Sequence, residues 1–123
     1  MSIQSFDADL EKYLVVMGVG VDKAVRTIAM DLYNNITQMT PIDTGRAKGN
    51  WNTGIGAPDT SISENATTVK PFKAKIGDGL KAIYITNNLP YINKLEYGSS
   101  QKAPNGMVRV SINNFKMEMN SVI

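Results

Sequence analysis

The sequence predicts an α+β fold: a long N-terminal helix, a small, mainly antiparallel sheet, a short helix and a C-terminal helix. Three observations carry this expectation. Val21, Val25, Ile28, Ala29, Leu32, Ile36 and Met39 recur at steps of three, four and seven, the period of a helix with one apolar face. Two short stretches in the middle of the chain, 51–56 and 81–87, alternate with the period of a strand. Met107, Val108, Ser111, Ile112, Phe115, Met119 and Val122 form a second helical stripe. Helices at both ends with strands between them sort into layers, at least one helix covering a sheet face.

The N-terminal helical region spans residues 5–39. Leu10, Tyr13 and Leu14 share a face, and Asp7 is placed to cap the first turn, where acids suit the helix dipole. Gly18 and Gly20 each weaken a helix interior by about 1 kcal/mol, so a bend, or a short helix followed by a long one, is expected there. Asp22 and Arg26 stand as an i,i+4 pair. Pro41 ends the helix near Thr40, and Asp43-Thr44-Gly45 supplies turn chemistry. In strand 51–56, Trp51, Thr53 and Ile55 take one face and Asn52 and Gly54 the other. Segment 57–71 is rich in Ser, Thr, Asn, Asp and Pro without a period, and reads as a long, mobile loop. Segment 72–77 reads as a short strand, 77–79 as a turn, and 81–87 as a strand around Ile83 and Ile85. A short helix over 89–97 would use Pro90 in its first turn and Gly98 after its end. A loop over 99–105 leads into the last helix.

The 123 residues make one domain, 1–123. Hydrophobic residues at 42% and charged residues at 20% are globular proportions, which argues against disorder throughout. A net charge of +2 does not by itself indicate nucleic-acid or membrane binding. The chain has no cysteine and no histidine, which removes disulfides, thiol nucleophiles, thiolate metal sites and imidazole bases. No apolar run is long enough for a signal core or a membrane span, so a chain made in the cytoplasm, without a membrane partner, is expected.

Several stretches resemble chemical motifs. Asp43-Thr44-Gly45 is the aspartic-protease triplet, but it follows a helix and Pro41, not an apolar strand, and Arg46 stands where a small residue is needed. It reads as a turn. Gly18-Val19-Gly20-Val21-Asp22-Lys23 has the opening of a dinucleotide fingerprint, with Lys23 at the third glycine position and no βαβ pattern after it. It reads as a bend between helices. Lys70, Lys73, Lys75 and Lys81 form a loose basic run, either a solvated face or a patch facing DNA phosphates. Asp7, Asp9 and Glu11 read as ordinary first-turn acids, and the seven methionines as core packing. Arg46 suits a bidentate carboxylate partner: Glu96, an acid of a neighbouring subunit, or solvent alone. None of these readings calls for a cofactor, a metal or an enzyme.

Three blocks carry a family resemblance. They are Thr40-Pro41-Ile42-Asp43-Thr44-Gly45-Arg46-Ala47-Lys48-Gly49-Asn50-Trp51; Tyr84-Ile85-Thr86-Asn87-Asn88-Leu89-Pro90-Tyr91, followed by Leu95-Glu96-Tyr97-Gly98; and Gln101-Lys102-Ala103-Pro104-Asn105-Gly106-Met107-Val108. In this order, and in a chain of this length, they resemble the small neck or tail-completion proteins of tailed bacteriophages. The resemblance spans residues 21–115. Ala47 stands where many relatives carry leucine, and 57–71 matches nothing in the pattern.

The resemblance implies a structural virion protein without cofactor. It would form a homo-oligomeric ring, hexameric by analogy with tail symmetry, at the head–tail junction. Connector or adaptor proteins would lie on one side, tail tube or terminator proteins on the other, with genomic DNA passing through the lumen. A tail terminator and a DNA-binding accessory module are the alternatives. The motif residues are then fold determinants: Gly45 and Gly98 permit turns, Trp51, Tyr84, Tyr91 and Tyr97 supply apolar area near the sheet, and Asn87 and Asn88 hydrogen-bond backbone after the strand. Subunits would join through heterologous contacts, with sheet edges extended from copy to copy and loop 57–71 as an arm that orders on contact.

Overall fold

In the computed structural model, which describes residues 3–42, 44–97 and 106–123, the N-terminal region is a short helix followed by a longer one, α1 (Ile3–Met17) and α2 (Val21–Met39). Gly18, at φ +66°, turns the chain between them, so the glycine-rich stretch is a bend between helices. α1 begins at Ile3, which puts Asp7 inside the helix and not at its cap. α2 ends where Thr40 turns extended ahead of Pro41. The remaining elements are β1 (Trp51–Ile55), β2 (Ile83–Asn87), α3 (Ile92–Glu96) and α4 (Val108–Val122), with single 3-10 turns at Lys48–Asn50 and Asp78–Leu80. The α+β class holds. β1 and β2 pair antiparallel, Trp51 opposite Asn87 and Ile55 opposite Ile83.

The core has two centres. Tyr33, Ile36, Trp51 and Met107 form one, with Ile85, Ile92 and Leu95 packed against it, so α2, the sheet, α3 and the start of α4 meet there. Tyr13, Phe115 and Met119 form the other, between α1 and α4, with the Tyr13 and Phe115 rings edge to face at 5.9 Å. Because α2 is covered on two sides, its buried surface is wider than the expected stripe. Tyr33, outside that stripe, is 1% exposed, whereas Val21 within it is 59% exposed. Along α4, Ile112 and Val122 likewise lie at the exposed margin of the stripe.

Segment 57–71 has no helix or strand, yet it is not a free arm. It lies as a strap across the sheet face opposite α2, held by side chains that offer its backbone the partners a ladder would. Asn50 accepts the Ser63 N–H (2.8 Å) and donates to the Ser63 carbonyl (3.0 Å). Asn52 donates to the Ser61 carbonyl, and Thr86 and Asn88 donate to the Asp59 carbonyl. Gly54 has no Cβ, and the backbone of Ala57 and Asp59 occupies that space. Both faces of β1 are therefore buried, not one.

Segment 72–77 is not a strand. Its backbone is engaged by α2 instead: Arg26 donates to the Ala74 carbonyl (2.9 Å) and Asp22 accepts the Gly77 N–H (2.7 Å). Asp22 and Arg26 thus each turn to this segment and not to one another. Pro90 precedes the cap of α3, Tyr91, and is not in its first turn. Asp43, Gly98, Pro104 and the loop 99–105 lie outside the described residues.

Candidate functional site

The first and second sequence blocks meet at the end of α2. Thr40 donates to the Ile36 carbonyl (2.7 Å), and its hydroxyl oxygen accepts the Trp51 indole N–H (2.8 Å), which locks the tryptophan under the helix end. After Pro41 the chain turns back. The Arg46 N–H bonds the Thr44 hydroxyl (3.3 Å), and the Gly49 N–H bonds the Gly45 carbonyl (2.9 Å). Gly45 sits at φ +85°, and a Cβ there would lie 2.7 Å from the Thr67 carbonyl oxygen of the strap, so both conformation and space demand glycine. The side-chain amide of Asn87, at the end of β2, donates to the Ala47 carbonyl (2.9 Å) and so ties this turn to the second block. Between them lies a cleft of about 110 Å³ lined by Pro41, Thr44, Gly45, Arg46, Ala47, Tyr91 and Leu95.

Arg46 does not reach Glu96. Its guanidinium pairs with Glu64 of the strap (2.9 Å), an exposed acid that the sequence reading did not connect to it. Arg46 Nε is buried without a partner.

Glu96 instead joins the second block to the third. Its carboxylate accepts the N–H groups of Met107 (2.9 Å), Val108 (2.8 Å) and Arg109 (3.0 Å), the unpaired amides that open α4. Arg109 Nε adds an ion pair at 3.0 Å, and Arg109 Nη2 donates to the Glu96 carbonyl. Burial alone pushes the Glu96 carboxyl up. The amides of Val108, Arg109 and Met107 and the Arg109 guanidinium more than reverse this and hold it below the usual glutamate range. Gly106, at φ +86°, leaves the space that the Glu96 carboxylate and carbonyl occupy. The Arg109 guanidinium also stacks on the Tyr97 ring, 4.7 Å from its centroid. With both oxygens occupied, Glu96 works as a helix clamp. The signal in the sequence was a carboxylate upstream of a glycine that opens a helix; Arg109 was missed because it lies outside the motif.

The aromatic residues divide. Trp51 is buried and Tyr91 half-buried, but Tyr84 lies at the surface and Tyr97 is 71% exposed, because both project from the sheet–helix core and not into it. Leu89, between them in sequence, is the fully buried residue of the second block. The four lysines do not act alike. Lys70 is half-buried and donates to Asn52 Oδ1 (2.6 Å), whereas Lys73, Lys75 and Lys81 are exposed. Asp59 lies well placed for this charge. Hydrogen bonds from the Ser61 hydroxyl and N–H lower its carboxyl below the usual range, and Lys70 and Lys73 add to that.

Large apolar side chains gather in the open at one end of the molecule. Val15 (80% exposed), Val16, Met17 and Val21 flank the α1–α2 bend. Ile76 and Leu80 (81% exposed) lie by the first turn of α2, which follows that bend, because the Asp78–Leu80 turn is seated there through the Asp22–Gly77 bond. A groove of about 530 Å³ beside Val15 and Val16 runs to Ile123. Among the described residues no group of three or more acidic side chains is placed to hold a metal ion, and no helix is long and apolar enough to cross a membrane. Comparisons with protein-family models, with curated proteins and with solved structures found no match to this chain.

Proposed function

We propose that this chain is a structural virion protein of a tailed phage, a ring-forming subunit at the head–tail junction that joins the connector side to the tail. The observation that carries the reading is the exposed apolar end. Monomeric proteins rarely leave apolar patches beyond a few hundred Å² in water, and larger ones mark contact surfaces. Here Val15, Val16, Val21, Ile76 and Leu80 present side chains that the subunit's own fold does not cover. The three sequence blocks support the same reading. Their residues are engaged in holding α2, the sheet, α3 and α4 together, through Trp51–Thr40, Asn87–Ala47 and Glu96–Arg109. What remains for work is shape and contact between copies.

The contact differs in one respect from sheet edges shared around a ring. The outer edge of β1 is covered, with residues 51–54 buried and the Tyr33 hydroxyl bonded to the Trp51 and Lys70 carbonyls. Ring closure therefore falls to the apolar end, which would bury against a different surface of the next copy. Six copies match the symmetry of tails, and Lys73, Lys75 and Lys81 are the lysines open to DNA in a lumen.

The test is electron microscopy of the purified protein, alone and mixed with tail tubes of the phage that encodes it. Rings, and rings seated on tube ends, are the expected result. Val15→Asp combined with Leu80→Asp should abolish them and leave thermal unfolding nearly unchanged, since both side chains are already in water. A protein that forms no ring and leaves tails unjoined, or one that turns over a substrate through a single carboxylate, would overturn the reading.

A further inference from the structure

We propose that the outer edge of β2 pairs with β2 of a second copy, joining two hairpins into one four-stranded antiparallel sheet. The geometry of the ladder points to it. The Gly56 N–H donates to the Ala82 carbonyl (2.7 Å), which makes this a hydrogen-bonded pair one step beyond Ile55 opposite Ile83. Hydrogen-bonded and non-hydrogen-bonded pairs alternate along an antiparallel ladder. The backbone groups of Tyr84 and Thr86 therefore turn towards β1, and those of Ile83, Ile85 and Asn87 turn away. No described residue bonds the outward N–H and C=O groups of Ile83 and Ile85.

Natural edges are blunted by charge, proline or a bulge. This one has none of them: residues 82–89 contain no charged residue and no proline, and the register runs unbroken. A two-stranded sheet is also the least self-sufficient kind.

The second copy is the occupant because the edge is complementary to itself. Antiparallel pairing about a two-fold axis at Ile85 sets Ile83 opposite Asn87 of the other copy, and every outward group meets an outward group. On the strap side Tyr84 faces Thr86, an aromatic against a β-branched residue. Growth by strand pairing stops at two copies because β1, now the outer strand on both sides, is buried over residues 51–54 and has its Trp51 carbonyl bonded by the Tyr33 hydroxyl. The pairing stands apart from the ring reading: it uses a strand edge, not the apolar end, and the two can fail separately.

Sedimentation of the full-length Val15→Asp, Leu80→Asp protein, in which the ring contact is removed, measures the mass, and hydrogen exchange of the same protein measures the Ile83 and Ile85 amides. The expected result is a species of twice the chain mass in which both amides are protected, with protection falling roughly tenfold or more on dilution to monomer. The chain lacks cysteine, so Tyr84→Cys with Thr86→Cys should form a covalent dimer on oxidation, since opposed non-hydrogen-bonded residues lie about 4.5 Å apart at Cα. In the Val15→Asp, Leu80→Asp background Tyr84→Lys should return the mass to that of one chain, while in the otherwise wild-type chain any ring built on the apolar end persists. In the ring-deficient background, a monomer at all concentrations, amides that exchange freely in the dimer, or a dimer untouched by Tyr84→Lys would each overturn the pairing.

Discussion

Glu96 carries more of the architecture than any other charged side chain described. It is nearly buried, and one carboxylate satisfies three amides at the start of α4 while holding Arg109. Glu96→Gln keeps one acceptor but removes the charge, and is expected to cost about 2–3 kcal/mol, read as a lower urea midpoint at neutral pH. The pH dependence follows from the direction of its shift. A carboxyl held below its unfolded value adds stability that is complete above the unfolded value and is lost as pH falls through the folded one. Wild-type stability should therefore drop on acidification below the ordinary glutamate range, and the Glu96→Gln protein should show a shallower drop. Thr53 is the opposite case. Its hydroxyl is buried in β1 without a partner, so Thr53→Val should raise stability by about 1 kcal/mol, visible as a higher melting temperature.

At the scale of elements, the strap shows how a segment without periodicity becomes ordered. Its backbone is satisfied by Asn50, Asn52, Thr86 and Asn88, side chains that project from the sheet towards it. Asn50→Ala would strand the Ser63 amide and carbonyl together, and should cost about 2–4 kcal/mol. The same change should speed proteolysis within residues 57–66, while the helical circular dichroism signal stays. Asn88 was legible in the sequence as a residue that bonds backbone after a strand, whereas Asn50 and Asn52 were legible only as one face of the first strand. Their reach across 9 to 29 residues was not, because a side-chain amide bonds whatever backbone the fold brings to it. The same limit explains Arg46: its fitness for a carboxylate was evident, but whether Glu96, another acid or solvent alone meets it depends on which loop crosses the turn, and the strap brings Glu64.

For the whole molecule, the distribution of apolar surface decides what the subunit can do. The fold closes one core around Tyr33 and Trp51 and a second around Tyr13 and Phe115, and among the described residues nothing covers the apolar end or bonds the neutral strand edge. The proposed assembly through the end and the proposed pairing through the edge use different residues, so variants at Val15 with Leu80 and at Tyr84 should fail in different sedimentation and imaging assays. The helices, the bend at Gly18, the stop at Pro41 and the two paired strands follow from the sequence alone, since each is set by local period, glycine or proline. Tertiary structure alone decided that Tyr33 lies at the centre, that segment 57–71 is a strap, that the backbone of 72–77 bonds Arg26 and Asp22 of α2 and forms no strand, and that Glu96 clamps α4. These outcomes turn on contacts between residues far apart in the chain, and such contacts leave no period in the sequence because they are fixed by which surfaces are already covered when the last one arrives.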